Sequence, residues 1–425
     1  MSPTPPAEAA SAAAQDAADK QAAAAPAWLQ PAFMSAVVGA PVRKVHADAL
    51  GAGDNFASVM VRVRVTTDRR EDKHLIIKRL PTSAVEAFFP IARAFDQEGR
   101  VYADILPRMQ GRLEAAGRGD PPLAPTMLHR TPADHPAPML VFEDISVEGF
   151  RLATREQGLD EAHTRLVLRA LARWHAAGAL VLDAHPDLFT DTMRMVCKEH
   201  ARLIDGMMVK GFARFLQQAE RWPDEVARRA VAKLRLLQPD CAERLVAAHR
   251  PDPLDGAAFN TCLHGDLWMG NALFKYAADG KPVDVRFVDF QITTWGSPAC
   301  DLSYFLCSVR GEVRARFDAM LAEYHTELED CLAAMGARRV PSLDELKADM
   351  RRRGMAQVMH VAAGMPLVLA PHSLGLTFDN LVDVHLGDGP HPRDVALGRA
   401  QVRDTALHFF TAWEREGLLD ALLDQ

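Results

Sequence analysis

The stretch Cys262–Phe274, "CLHGDLWMGNALF", brings His264, Asp266 and Asn271 together within eight residues, with Trp268 between them and apolar residues on both sides. Polar groups set this closely in an apolar frame cost free energy unless they satisfy one another or a ligand. Eighteen residues beyond Asn271, a second apolar run, "VRFVDFQITTWGSPACDLSYF", carries Asp289 and then Asp301. Short apolar runs of this kind read as buried strands. The two stretches therefore predict a rigid β scaffold that presents two carboxylates and an amide at its turns.

Four residues separate Asp266 from Asn271, so His264, Asp266 and Asn271 fit the pattern H-x-D-x-x-x-x-N, and the later Asp289-Phe290 supplies a second carboxylate at a strand end. Phosphoryl transfer asks for these types in this order: a carboxylate beside the acceptor hydroxyl, and an amide and a carboxylate on magnesium between phosphate oxygens. Upstream residues sharpen the reading. Lys78 lies in "HLIIKRL", an apolar strand where a lone cation is expensive unless paired. Glu98 follows twenty residues later in "FDQEGRVYADIL", where Phe95, Val101, Tyr102 and Ile105 recur at helical spacing. A Lys78–Glu98 ion pair aimed at phosphates is expected. The loop "LGAGDNFASV" before the first strand offers Gly51 and Gly53 with donors on Asn55 and Ser58 for phosphate oxygens.

Around these residues the chain changes texture. Val59, Val61, Val63 and Val65 alternate with polar neighbours, and the turn "TDRREDK" joins that run to the Lys78 strand, predicting a hairpin. "APMLVFEDI" reads as a further strand opening into a connector near residue 145, and from Asp160 onward long helical patterns dominate. A strand-rich front and a helical back describe an α+β, two-lobed protein. The expected divisions are a disordered Ala/Pro-rich tail at 1–27, an N-lobe at 28–145 and a C-lobe at 146–425.

A formal net charge of −7 argues against a nucleic-acid binder, which shows as a basic balance or stripe. The six cysteines form no CxxC pair and no His-partnered spacing, so neither a zinc site nor a disulfide framework is indicated. No run approaches the ~18–20 apolar residues of a membrane span, and the start lacks a secretory pattern. A cytoplasmic enzyme without a membrane partner is the expectation.

The stretches "GAGDNFASVMVRV", "IIKRLP", "FDQEGRVYADILP", "LVFEDI", "LARWHA", "HGDLWMGN", "VDFQ" and "SPACDLSYFL" together resemble the ecdysteroid kinase-like family of the aminoglycoside phosphotransferase and choline kinase superfamily, relatives of protein kinases. The resemblance implies a protein kinase-like fold, with ATP and Mg2+ as cofactors and a small hydroxylated molecule as partner. It implies Asp266 as catalytic carboxylate, Asn271 and Asp289 as metal ligands, Lys78 as phosphate clamp with Glu98 as its partner, and the hinge at Phe142–Asp144, with Glu143, beside adenine. His264 and Asp301 are expected to support the catalytic loop, and His175 to be a satisfied core histidine. Trp268 reads either as core or as a wall of the acceptor pocket. Met193, Met195, Met207, Met208, Phe212 and Phe215, any one of which reads first as helical core, together point to an adaptable apolar surface to which some of them contribute, hence to a neutral or anionic, partly hydrophobic alcohol. A catalytically silent binding module of the same fold and an aminoglycoside- or choline-type kinase stand as alternatives.

Overall fold

The computed structural model describes residues 26–49, 59–80, 90–132, 135, 138–190, 192, 194–371, 374 and 391–425. Gly51, Gly53, Asn55, Ser58 and Met193 lie outside the described residues, as does most of the N-terminal tail. The front of the molecule is an antiparallel sheet of β1 (Val42–Ala49), β2 (Val59–Thr67), β3 (Asp72–Arg79), β4 (Met127–Arg130) and β5 (Met139–Glu143), in the order β1-β2-β3-β5-β4. The expected hairpin is β2–β3, in which Val63 pairs with Leu75 and Met60 with Lys78.

Alternation along β3 decides where Lys78 points. Leu75 and Ile77 face a core shared with Val63, Val65, Met139 and Val141, and covered by Trp28, Met34 and Val37 of the N-terminal segment. Side chains of a strand alternate between its two faces, so Ile76 and Lys78 turn to the other side. There Leu140 and Phe142 join the large core with Phe95 and Tyr102. That side is covered by α1 (Ile91–Arg100), continued through a π-helical turn at Val101–Ile105. Glu98 is buried on its inner face.

β5 ends at the exposed Glu143, and Asp144 is buried, its carboxylate accepting from Arg62 Nε of β2 at 2.7 Å and from the Ser146 amide at 3.0 Å. This clamp fixes the angle at which the chain leaves the sheet. The helical part is organised around α2 (Glu161–Ala184), capped by the Asp160 side chain and buried along most of its length. Against it lies β6 (Thr261–Leu263), approached so closely that a Cβ at Gly178 would sit 2.7 Å from Cys262 Cβ. Trp174 Nε1 donates to Cys262 O at 3.0 Å and Thr261 Oγ1 to His175 O at 2.6 Å, so strand and helix form one unit. β7 (Ala272–Tyr276) and β8 (Pro282–Phe287) pair as a hairpin, and β9 (Thr294–Gly296) pairs with β6. Among the described residues no helix is long and apolar enough to cross a membrane.

Two strands differ from the sequence reading, which began the sheet at β2 and placed none between α1 and β5. β1 is an edge strand, "VRKVHADA", whose mixed charges and alanines carry little β signal. β4 has four half-buried residues, too few for a periodic pattern to show.

Candidate active site

The turn after β6 holds His264, Gly265 and Asp266, and its shape is set by one carboxylate. Asp301, on the helix Ala299–Phe305, accepts from the backbone amides of His264 at 2.8 Å and Gly265 at 3.0 Å. His175 Nε2 meets the same carboxylate at 3.1 Å, while its Nδ1 meets Tyr324 Oη at 2.7 Å. Both nitrogens of this buried histidine are thus satisfied, as expected of a core residue, and it orients the brace. Burial alone would raise the Asp301 carboxyl, but the hydrogen bond and charge of His175 hold it below its ordinary value. Gly265 has φ +85°, and a Cβ there would lie 2.2 Å from Ile292 O, so the turn admits only glycine. His264 lies beneath the loop: its Nδ1 accepts from the Asp266 amide at 3.3 Å and its Nε2 faces Val288 O at 3.2 Å.

Asp266 is thereby delivered to the mouth of the site. Its Oδ2 accepts from Asn271 Nδ2 at 3.0 Å, and its Oδ1 accepts from Tyr304 Oη at 2.9 Å. Withdrawal from solvent pushes the carboxyl up to about 7, and the nearby charge of Asp289 adds to the effect. Asp289 follows β8 in a left-handed conformation, φ +68°, unusual for a residue with a side chain. Phe290 anchors that conformation by stacking on Trp174 with ring centroids 5.0 Å apart.

Lys78 joins the two parts of the molecule. Its Nζ lies 2.6 Å from Glu98 Oε2 and 2.7 Å from Asp289 Oδ1, all three groups being largely removed from water. Burial would lower the Lys78 pKa, yet Asp289 and Glu98 more than offset it and the ammonium stays charged. The same burial pushes Glu98 upward, against the pull of Lys78. A second tie runs beside this one: Gln97 Nε2 donates to the backbone oxygens of Gln291 at 3.2 Å and Thr293 at 2.7 Å. Ile91 and Ala94 of α1 also share a small apolar cluster with Ile292 and Leu203.

Beside Asp266 opens a cavity of about 170 Å³ whose lining includes Asp266, Asn271, Asp289, Trp268 and Tyr304. Its apolar wall includes Met195, Leu203, Ile204, Met207 and Met208. Trp268 is a wall residue, half-buried, with the Arg155 guanidinium 4.7 Å from its ring centroid. Phe212 and Phe215 are not in that wall; both are fully buried in the core. Glu143 is the last residue of β5, and its amide donates to Thr126 O at 3.0 Å. That N–H is committed within the fold.

A family model described as the ecdysteroid kinase-like family matches residues 52–337. The chain belongs to the ecdysteroid kinase-like family. No curated protein matches it at a significant level. Among solved structures, Plasmodium vivax ethanolamine kinase is 9% identical, with 85% of this chain and 84% of that chain covered and a TM-score of 0.39. A macrolide 2'-phosphotransferase from Brachybacterium faecium is 14% identical, with 88% and 98% covered and a TM-score of 0.38. Family and architecture make this ecdysteroid kinase-like protein a two-lobed, kinase-like phosphotransferase. Sequence reasoning missed Gln97, Tyr304 and Arg155, three residues that hold its site together. Of these only Tyr304 carried a local signal, three residues after Asp301 and so one helical turn along.

Proposed function

We propose that the protein is an ATP- and Mg2+-dependent kinase that transfers the γ-phosphoryl group to a hydroxyl of a small, partly hydrophobic molecule. The observation that carries this reading is the convergence of Lys78, Glu98, Asp289, Asp266 and Asn271, drawn from four separate stretches of chain, at one end of an apolar cavity. The donor set fits a magnesium ion: Asn271 Nδ2 is spent on Asp266, which leaves the amide oxygen, and Asp289 adds a carboxylate. Two protein oxygens, with phosphate oxygens and water completing the shell, suit magnesium. When bound there, the ion would neutralise charge on the phosphates. Lys78, held by Glu98, would meet the phosphate oxygens.

Asp266 orients the acceptor hydroxyl and takes its proton as the oxygen–phosphorus bond forms and the bond to the β-phosphate oxygen breaks, releasing ADP. Tyr304 and Asn271 hold the carboxylate toward the cavity, and the loop bonded to Asp301 keeps it from swinging away. Besides Asp266, Asp289 and Asp301, which the phosphate end uses, the cavity lining holds Arg155 and Arg194 and a largely aliphatic wall, and these two cations favour a neutral or anionic acceptor over a polycation. ADP release measured with a panel of hydroxylated compounds tests the proposal. Acceptor-dependent ADP formation, absent in Asp266→Ala, is expected; magnesium-ATP binding without any such turnover would leave a nucleotide-binding module instead.

A further inference from the structure

The wall of the cavity away from the phosphates carries a group of polar side chains that the transfer step does not use. Contacts step away from Asp266 one ring at a time. Tyr304, which donates to Asp266, has its ring centroid 4.7 Å from that of His360. His360 meets His249 edge-on at 5.3 Å. Arg194 in turn donates through Nη1 to the backbone oxygen of His249 at 3.2 Å and through Nη2 to that of Trp295 at 2.7 Å. All four residues line the cavity.

One of these side chains has an unsatisfied polar atom, and another is a cation with no carboxylate beside it. His360 is 7% exposed, and its Nδ1 has no hydrogen-bond partner. Burial keeps the imidazole neutral, as it does for His249, whose pKa is held down to about 4. Arg194 is a half-buried cation that forms no ion pair with a carboxylate among the described residues; its guanidinium meets two carbonyl oxygens and the Trp295 ring. The ionisable groups that act on it are the thiols of Cys300 and Cys197 and the guanidinium of Arg353, none of them a carboxylate. Arg353 is already paired with Asp252 and Asp349. Burial pulls the Arg194 pKa below its ordinary range. A guanidinium drawn partly out of water gains most from a carboxylate partner, and this one, in the wall of a ligand cavity, has none among the described residues.

We infer that the acceptor is a hydroxy acid: an apolar body carrying the reacting hydroxyl at one end and a carboxylate at the other, the carboxylate held by Arg194 with a hydrogen bond from His360. The inference rests on the reading of Asp266 as the carboxylate that receives the hydroxyl; the acid group itself is bound and unchanged. Apolar wall residues Met195, Leu203 and Met207 then cover the body between the two ends.

Calorimetric titration of the full-length protein with matched pairs of probes tests this without relying on turnover. On a cyclohexane ring and on an octane chain, a hydroxy acid is compared with the diol in which the carboxylate is replaced by a hydroxymethyl group. On at least one skeleton the acid is expected to bind tighter than the diol by about tenfold or more, the scale of a charge-assisted hydrogen bond. Arg194→Met should erase the preference, Arg194→Lys should retain part of it and guards against loss of folding, and His360→Phe should reduce it. Acids that bind no tighter than diols, or a preference that survives in folded Arg194→Met, would overturn the inference. ADP release with the same probes separates the two readings: acid binding through Arg194 with no ADP formed would keep the carboxylate site and reject the kinase. ADP formed equally with acids and diols would do the reverse.

Discussion

Around Asp266 and Asp289 each carboxylate is tied to other side chains: Lys78 to Glu98 and Asp289, Asn271 and Tyr304 to Asp266. Across the cavity the wall of Met195, Leu203, Ile204, Met207 and Met208 presents apolar side chains. Electrostatic catalysis depends on groups that need no rearrangement when charge develops, which the first region provides. Unbranched thioethers repack easily around different shapes. On the proposed reading, the contrast teaches that the end holding Asp266 and Asp289 is made for one task, and that the opposite wall leaves selection of the acceptor to a few polar groups.

The comparison can be broken most directly at Asp266. Asp266→Ala should lower acceptor-dependent ADP release by at least ~10²-fold, the range for a positioned base, with the thermal melt preserved; ordinary turnover would remove the residue from the mechanism. Lys78→Ala and Glu98→Ala should each lower turnover by about tenfold or more, and the double variant should lose much less than the product of the two. Strictly multiplicative losses in that cycle would contradict a shared ion pair.

Asp301→Asn tests the brace by stability. The folded-state pKa of Asp301 is depressed, so its stabilising contribution is present above the unfolded value near ~4 and is lost as pH falls below it. The substitution should cost about 1–3 kcal/mol at neutral pH and flatten the acid limb of a denaturation-versus-pH profile. An unchanged limb would show that the loop does not depend on this carboxylate. Tyr304→Phe removes one hydrogen bond to a carboxylate and should lower turnover by roughly tenfold without altering nucleotide affinity, as calorimetry would show. Smallest of all, Met207→Leu conserves volume in the soft wall and should cost under ~1.5 kcal/mol. Its effect should appear in the acceptor KM and leave kcat nearly alone; an equal fall in kcat would mean that the wall is as rigid as the phosphate end.

The same contrast decides what could be read from the chain. Asp266, Asn271 and Asp289 lie within 24 residues of one another, and their types are dictated by phosphate and metal chemistry, so the spacing exposes them. Lys78 and Glu98 were legible because a cation on an apolar strand demands a partner. Gln97, Arg194 and His360 sit in separate segments whose local patterns are those of ordinary helices and loops; only the fold brings them to the site, where Tyr304 alone had a local signal from its spacing to Asp301. Phe212 and Phe215, buried in the core, and Met195, Met207 and Met208, in the cavity wall, show a different limit, since apolar residues at helical spacing do not reveal which of them face a core and which a cavity.

The apolar cluster in which Ile91 and Ala94 of α1 meet Ile292 and Leu203 has a thermodynamic consequence. Leu203 and Ile292 line the cavity, and α1 carries Glu98, so on the proposed reading an acceptor in the cavity and a nucleotide beside Lys78 would bear on one cluster of side chains. Whatever factor the nucleotide imposes on acceptor affinity through that contact, the acceptor returns to the nucleotide undiminished, because the free energy around a closed cycle of binding steps sums to zero.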